Sequence, residues 1–147
     1  MTTIIIASDH AALPQKAAVI KLLESKKIKV VDAGPFDTTP CDYPDYALKV
    51  ASAVAKKEAT LGILICGTGI GMSIAANKVK GIRCALCGDT FSAKATREHN
   101  DTNVLALGAR VLGEGLMLDI VDAFVSTKFY GDERHVKRIT KMMAIEN

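Results

Sequence analysis

The sequence has little of several features that mark specialised protein classes. Tryptophan is absent and aromatic residues make up 5% of the 147 residues, so a core has to be built from aliphatic side chains. No apolar run approaches the ~20 residues that a membrane-spanning helix needs. Four cysteines are too few for a disulfide scaffold in a chain of this length. The sequence therefore predicts neither a membrane helix nor a disulfide-stabilised fold.

Charge of one sign is also scarce. The chain has 19 Lys and Arg against 16 Asp and Glu, a net charge of +3. No basic patch is interleaved with aromatic residues, so we expect no nucleic-acid partner, and no membrane partner either. The segment 1–6 lacks the charged start and the cleavage site of a signal peptide. We expect a single domain over residues 1–147 that is located in the cytoplasm.

Short apolar runs alternate with segments of helical spacing along the whole chain. Strands are predicted at residues 3–7, 28–31, 62–66, 83–87 and 103–107. Helices are predicted over residues 13–26, 43–57, 90–99, 113–127 and 132–143, with a shorter one through 74–78. In the first helix, Ala17, Ile20 and Leu23 predict the buried face. The alternation predicts an α/β fold, a three-layer Rossmann-like sandwich whose five-stranded parallel sheet carries helices on both faces.

The sharpest local signal is the segment Cys66-Gly67-Thr68-Gly69-Ile70-Gly71, which follows the predicted third strand. Ligands bind beyond the carboxyl ends of the strands in such sheets. Alternate glycines let backbone amides approach a ligand, and the helix that follows adds a positive dipole end. The loop therefore predicts a site for a phosphate or a developing oxyanion. Cys66 lies near the start of this helix, where a cysteine can act as a reactive thiolate. More commonly, a cysteine is simply a small buried apolar side chain.

A nucleotide-binding loop is a competing interpretation of the same segment. The dinucleotide fingerprint follows the first strand, whereas this loop follows the third, and Gly71 comes one residue early. Asp89 does lie ~20 residues further on, where a ribose-binding acid is expected. Cys84 and Cys87 have a Cys-x-x-Cys spacing but no second pair, so they are interpreted as core residues rather than as zinc ligands.

Polar residues at other strand ends extend the candidate site. Asp9 and His10 follow the first strand, and His99 and Asn100 precede the fifth. Two histidines near strand termini favour acid–base chemistry. Near the end of the chain, Arg134 and Arg138 share one helix face. They predict either a phosphate-binding pair or simply a solvent-exposed basic surface. Arg110, after the fifth strand, adds a possible third cation.

Six segments occur together in a familiar order. They are Ser8-Asp9-His10-Ala11-Ala12, Asp42-Tyr43-Pro44-Asp45-Tyr46-Ala47, the loop 66–71, Ala75-Ala76-Asn77-Lys78, Arg97-Glu98-His99-Asn100-Asp101 and Arg134-His135-Val136-Lys137-Arg138. With them, nearly the whole chain closely resembles the type B ribose-5-phosphate isomerases, a family that also holds galactose-6-phosphate isomerase subunits. The resemblance implies interconversion of D-ribose 5-phosphate and D-ribulose 5-phosphate through a cis-enediolate, in the non-oxidative pentose phosphate pathway, without metal or cofactor.

The resemblance also implies roles for individual residues. Cys66 would be the base that moves a proton between C1 and C2, and Thr68 would assist proton movement between the two oxygens. Asp9 and His99 would help to open the furanose ring. Substrate binding is implied for His10, Tyr43, Gly67, Gly69, Ile70, Gly71, Asn100, Arg110, Arg134 and Arg138. Of these, the loop residues would hold the enediolate oxygen, and His10 and the arginines would grip the phosphate.

The family resemblance further implies a homodimer with shared active sites, or a tetramer, and the helix 132–143 is expected to make dimer contacts. One branch of the family has a glutamate base where this chain has Met72, which leaves the role to Cys66. Asp132 and Glu133 replace the two glycines that usually precede the first C-terminal arginine. The alternatives are an isomerase of a six-carbon aldose phosphate such as allose 6-phosphate, and a non-catalytic nucleotide-binding module.

Overall fold

Strands and helices alternate along all 147 residues of the computed structural model. The strands are β1 (Thr3–Ser8), β2 (Lys29–Asp32), β3 (Leu61–Cys66), β4 (Cys84–Leu86) and β5 (Val104–Gly108). The helices are α1 (Leu13–Ser25), α2 (Tyr43–Ala55), α3 (Ile70–Ala76), α4 (Thr90–Asn100), α5 (Glu114–Ser126) and α6 (Glu133–Met143), followed by a 3₁₀ turn at Ala144–Glu146. None of the helices combines the length and the apolar character that crossing a membrane requires.

The five strands form one sheet in the order β2-β1-β3-β5-β4, and every pair is parallel. Strand β3 is buried along its whole length because it lies at the centre of the sheet with helices on both faces. Its sequence is correspondingly a continuous apolar run. The predicted five-stranded parallel α/β sandwich is confirmed.

Two apolar clusters, one on each face of the sheet, form the core. Strand residues alternate between them, so that Ile63 and Ile65 belong to one cluster and Leu64 to the other. The first cluster includes Val19 of α1 and residues of α5, and the second includes residues of α2 and α3. Aliphatic side chains supply nearly all of this core, as the scarcity of aromatic residues predicts.

The buried face of α1 differs in part from the prediction, although Leu23 is buried and Ile20 packs against the core as predicted. The structure buries Lys16, Val19 and Leu23, whereas Ala17 is exposed. The helix pattern is weakly amphipathic, and a lysine at the inner position misdirected the assignment of the face. Lys16 is accommodated there because an ion pair with Asp32 compensates its charge.

Helix α2 approaches β3 so closely that only glycine fits at position 62. A β-carbon on Gly62 would lie 2.6 Å from Cγ1 of Val50 and 3.3 Å from Cγ2 of Val104. We expect Gly62→Ala to lower the free energy of unfolding by about 1–3 kcal/mol, because the core has no room for a methyl group. Urea unfolding measures the change.

Gly115 offers the matched control for this substitution. No atom lies within 4 Å of the position that a β-carbon would take there, in the first turn of α5. Gly115→Ala should raise the free energy of unfolding by about 0.4–1 kcal/mol, through the entropy of the unfolded chain. If both variants shift stability in the same direction, close packing at Gly62 is not the cause.

Candidate active site at the carboxyl edge of the sheet

The loop after β3 places a thiol against backbone amides. Cys66 is buried, and its Sγ accepts a hydrogen bond from the Gly69 amide at 3.1 Å. The amide directs its positive end at the sulfur, which stabilises negative charge there. Gly69 has a φ of 76°, and a β-carbon on it would lie 2.8 Å from the carbonyl carbon of Leu107. Both the dihedral angle and the close approach require glycine at this position.

Three further amides of the loop point to no acceptor within the chain. The backbone N–H groups of Gly67, Thr68 and Gly71 make no hydrogen bond, whereas that of Ile70 donates to Oγ1 of Thr68 at 3.2 Å. Thr68 and Ile70 are exposed beside them. Unpartnered amides in a loop that begins at a thiol are suited to hold an oxyanion.

Two of the predicted substrate-binding side chains contact this loop. Tyr43, the first residue of α2, lies so near Gly71 that a β-carbon there would be 2.5 Å from its Cζ. Arg110 lies over Gly67, with its Cδ 3.4 Å from the position of a β-carbon, and its amide donates to the Gly67 carbonyl at 2.9 Å. The two glycines thus leave room for the ring of Tyr43 and the stem of Arg110.

Asp9 and His10 reach the same edge from the end of β1. The Asp9 amide donates to the Ile65 carbonyl at 2.9 Å, and its carboxylate accepts from the Ala11 amide at 3.0 Å. Nδ1 of His10 accepts from the Cys41 amide at 3.2 Å. Sequence analysis assigned Cys41 no role, and because it is 31 positions from His10 no local pattern could have revealed the contact.

The remaining predicted site residues lie at the opposite edge of the sheet. Val104 at the start of β5 pairs with Gly62, and Gly108 at its end pairs with Cys66. His99 and Asn100 precede Val104, so the length of β5, roughly 13 Å at ~3.3 Å per residue, separates them from Cys66. One chain therefore does not bring His99 and Asn100 to the thiol.

Helix α6 belongs to this second group. The rings of His99 and His135 stack with centroids 4.5 Å apart, which places the start of α6 against the end of α4. Arg134 and Arg138 on the same helix are exposed to solvent. His135 is buried by the stack and was given no role in the sequence analysis, although its place beside Arg134 was the available signal.

Asp89 has a structural role that the nucleotide-binding interpretation did not foresee. Its carboxylate accepts from the amide of Ser92 at 2.6 Å and from the Ser92 hydroxyl at 2.9 Å, so it caps α4. These hydrogen bonds lower the pKa of Asp89. The acid that would bind a ribose is occupied by the helix end, and the nucleotide-binding alternative is not favoured.

Cys84 and Cys87, in and after β4, are neither reactive thiolates nor metal ligands in this structure. Burial raises the pKa of Cys84 to about 12 and that of Cys87 to about 11, so both remain protonated thiols. No cluster of three or more His, Cys, Asp or Glu side chains has a metal-binding arrangement.

Fold and site together define a small parallel α/β protein with a buried thiol beside a glycine-rich loop that has unpartnered amides. The family model for Ribose/Galactose Isomerase matches residues 4–142. The chain belongs to this family.

Individual relatives cover nearly the whole chain. YwlF of Bacillus subtilis, provisionally named a sugar phosphate isomerase, is 54% identical over 96% of this chain and 95% of its own. Ribose-5-phosphate isomerase B of Escherichia coli is 45% identical over 99% and 97% of the two chains. The solved structure of ribose-5-phosphate isomerase B from Mycoplasma genitalium with bound ribulose-5-phosphate has a TM-score of 0.93 at 43% identity, covering 99% of this chain and 96% of that one.

The stacked His135 predicts a pH dependence of stability. Burial lowers the pKa of His135, and the neighbouring His99 and Arg134 side chains lower it further. The unfolded state, with a histidine pKa of ~6.5, therefore binds more protons, and the free energy of unfolding falls as pH drops below that value.

We expect His135→Phe, which keeps a ring against His99 and cannot titrate, to lose less unfolding free energy than the wild type between about pH 7.5 and pH 5. Urea unfolding at one fixed protein concentration measures both proteins. An equal loss in the two would show that His135 binds protons alike in the folded and unfolded states.

Proposed function

We propose that the protein is a ribose-5-phosphate isomerase that interconverts D-ribose 5-phosphate and D-ribulose 5-phosphate. The observation that carries the proposal is the environment of the Cys66 thiol. Its sulfur accepts a hydrogen bond from the Gly69 amide at 3.1 Å, and three further amides of the same loop have no partner. Relatives that bear the name ribose-5-phosphate isomerase B support it, as does the ribulose 5-phosphate bound in one of their structures.

The chemistry begins with the open-chain aldose. The Cys66 thiolate removes the proton from C2, and the negative charge that develops on O1 is held by the loop amides. Each such donor is typically worth ~3 kcal/mol in the transition state. The sulfur returns the proton to C1, and Thr68 assists transfer of the hydroxyl proton from O2 to O1. The carbonyl has then moved from C1 to C2, with no atom gained or lost.

The other groups open the sugar ring and bind the substrate. Asp9 and His99 act on the ring oxygen and the anomeric hydroxyl, and Asn100 and Tyr43 contact the sugar. His10, Arg110, Arg134 and Arg138 bind the phosphate, because guanidinium groups match its oxygens. Binding energy from the phosphate, remote from C1 and C2, then positions the reacting carbons.

A homodimer with shared sites reconciles these roles with the geometry. Cys66 and its neighbours lie at one edge of the sheet, and His99, Asn100, Arg134 and Arg138 belong to the other half of the chain. A two-fold axis brings one edge of each chain to the opposite edge of its copy. Helix α6 supports this arrangement because it packs against the rest of its own chain mainly through α4 and leaves Val136 and Met142 exposed.

The protein acts in the cytoplasm, in the non-oxidative pentose phosphate pathway. The mechanism needs Cys66 as a free thiol, and all four cysteines are free. A reducing compartment preserves that state.

Removal of the Cys66 thiol tests the proposed base. We expect Cys66→Ala to fold normally and to lose turnover of ribose 5-phosphate by about 100- to 10,000-fold, the usual contribution of a general base. Proton NMR in deuterated water measures both the formation of ribulose 5-phosphate and the exchange of the C2 proton. Cys84→Ala is the control, since it removes a thiol outside the loop.

Turnover by Cys66→Ala within a few-fold of the wild type would eliminate Cys66 as the base. The same assay with allose 6-phosphate tests the substrate. Faster conversion of the six-carbon sugar by the wild type would replace ribose 5-phosphate as the proposed substrate while leaving the isomerase chemistry intact.

Mixing two inactive variants tests the shared site. In a mixed dimer of Cys66→Ala and His99→Ala chains, one site receives both intact residues and the other receives neither. After subunits exchange at random, we expect about a quarter of wild-type activity, since half of the dimers are mixed and each has one working site. Steady-state assays before and after mixing measure it. Activity that stays at the level of the separate variants would place both residues of each site in one chain.

A further inference from the structure

Lys16 is a charged side chain buried in the first turn of α1, with 4% of its surface exposed. Its Nζ donates to Oδ1 of Asp32 at 2.7 Å and to the carbonyl of Pro35 at 2.6 Å. It also lies 5.1 Å from the centroid of the Phe36 ring. The side chain thus bridges the end of β2 and the first residues of the segment that follows.

A buried ion pair is rarely the most stabilising solution for such a position. The cost of removing two charges from water offsets much of their attraction, and a well-packed apolar side chain often serves stability equally well. The contacts of Lys16 point instead to control of the chain between β2 and α2. Asp32 Oδ1 also accepts from the Gly34 amide at 2.9 Å, and the Gly34 carbonyl accepts from the Ser8 amide at 3.1 Å.

The segment 33–42 between β2 and α2 is irregular. We call it the His10 loop because its residue Cys41 bonds to His10. Between residues 35 and 41, its hydrogen bonds to other parts of the chain are those of Pro35 with Lys16 and of Cys41 with His10. The bond between the Thr39 amide and Asp37 is internal to it. Lys16 therefore holds the start of the same segment whose other end contacts His10.

The contact at Cys41 determines which nitrogen of His10 carries the proton. A backbone N–H can only donate, so Nδ1 of His10 is the acceptor and has no hydrogen. The proton of the neutral ring is consequently on Nε2. That nitrogen is the one left free to donate to a ligand.

We propose that Lys16 is a positioning residue that acts through the His10 loop to hold His10 as the Nε2–H tautomer, ready to donate to the substrate phosphate. The proposal rests on the proposed function for the role of the phosphate, but not for the tautomer. Lys16 touches no reacting atom; its effect passes through Pro35 and Cys41 to the imidazole.

The variant Lys16→Met tests the proposal, because methionine keeps the length and apolar volume of the stem and removes both hydrogen bonds. We expect the KM for ribose 5-phosphate to rise by about tenfold with kcat within about threefold of wild type, since the displacement of one phosphate ligand weakens binding while the arginines still hold the phosphate in place. Nitrogen-15 NMR of the imidazole should show a mixture of tautomers at His10 in place of the Nε2–H form. Lys21→Met, on the exposed side of α1, is the matched control and should change neither readout.

An unchanged His10 tautomer in folded Lys16→Met would overturn the proposal, and so would an unchanged KM. If that variant does not fold, Asp32→Asn decides, since it weakens the same ion pair while keeping an oxygen for the Gly34 amide. It should raise KM in the same direction by a smaller factor and alter the His10 tautomer, and wild-type values of both would overturn the proposal.

A wild type with no turnover of ribose 5-phosphate would refute the proposed function alone. The NMR comparison of Lys16→Met with Lys21→Met would still decide the link between Lys16 and His10. A change in tautomer in Lys16→Met alone supports that link, and identical spectra refute it.

Discussion

The parallel pairing of β3 with both β1 and β5 determines where Cys66, its loop and Asp9 lie at the carboxyl edge. Cys66 ends β3 opposite Gly108 of β5, and the Asp9 amide bonds to the Ile65 carbonyl. The backbone of the loop after β3 packs directly against the end of β5. A β-carbon on Gly108 would lie 2.6 Å from the Thr68 carbonyl oxygen, so only glycine fits there. A shift in the register of β1 would move Asp9 away from the thiol, and a shift in the register of β5 would disrupt the close approach of Gly108 to the loop.

The same sheet that gathers one set of polar groups keeps the other set apart. Helices that return antiparallel to the strands end at the amino edge, so the residues that close α4 face away from the residues that follow β3. The chemistry of aldose–ketose isomerisation needs a base, an oxyanion site and a ring-opening acid within a few ångströms. In the proposed homodimer, the second chain supplies the groups that one chain keeps apart, without a longer polypeptide.

Much of this could be predicted from the sequence. The continuous apolar run before Cys66 predicted a central strand, and the alternating glycines predicted the amide loop, because both are local patterns with a single physical cause. The predicted buried face of α1 was wrong at Ala17 and missed Lys16, because helical periodicity alone does not account for a buried lysine that pairs with an acid such as Asp32. The contact of Cys41 with His10 joins residues far apart in sequence, and no local pattern contains it. The roles of individual residues in binding remain predictions.

The separation of the two groups by β5 has a consequence for how the activity depends on the amount of protein. In the proposed dimer each chain supplies half of two sites, so a folded but dissociated chain has none. Diluting the protein below the dissociation constant of the dimer would make the rate rise with the square of the protein concentration rather than in proportion to it. The length of one short strand would thus couple the output of the reaction to the expression level of the chain.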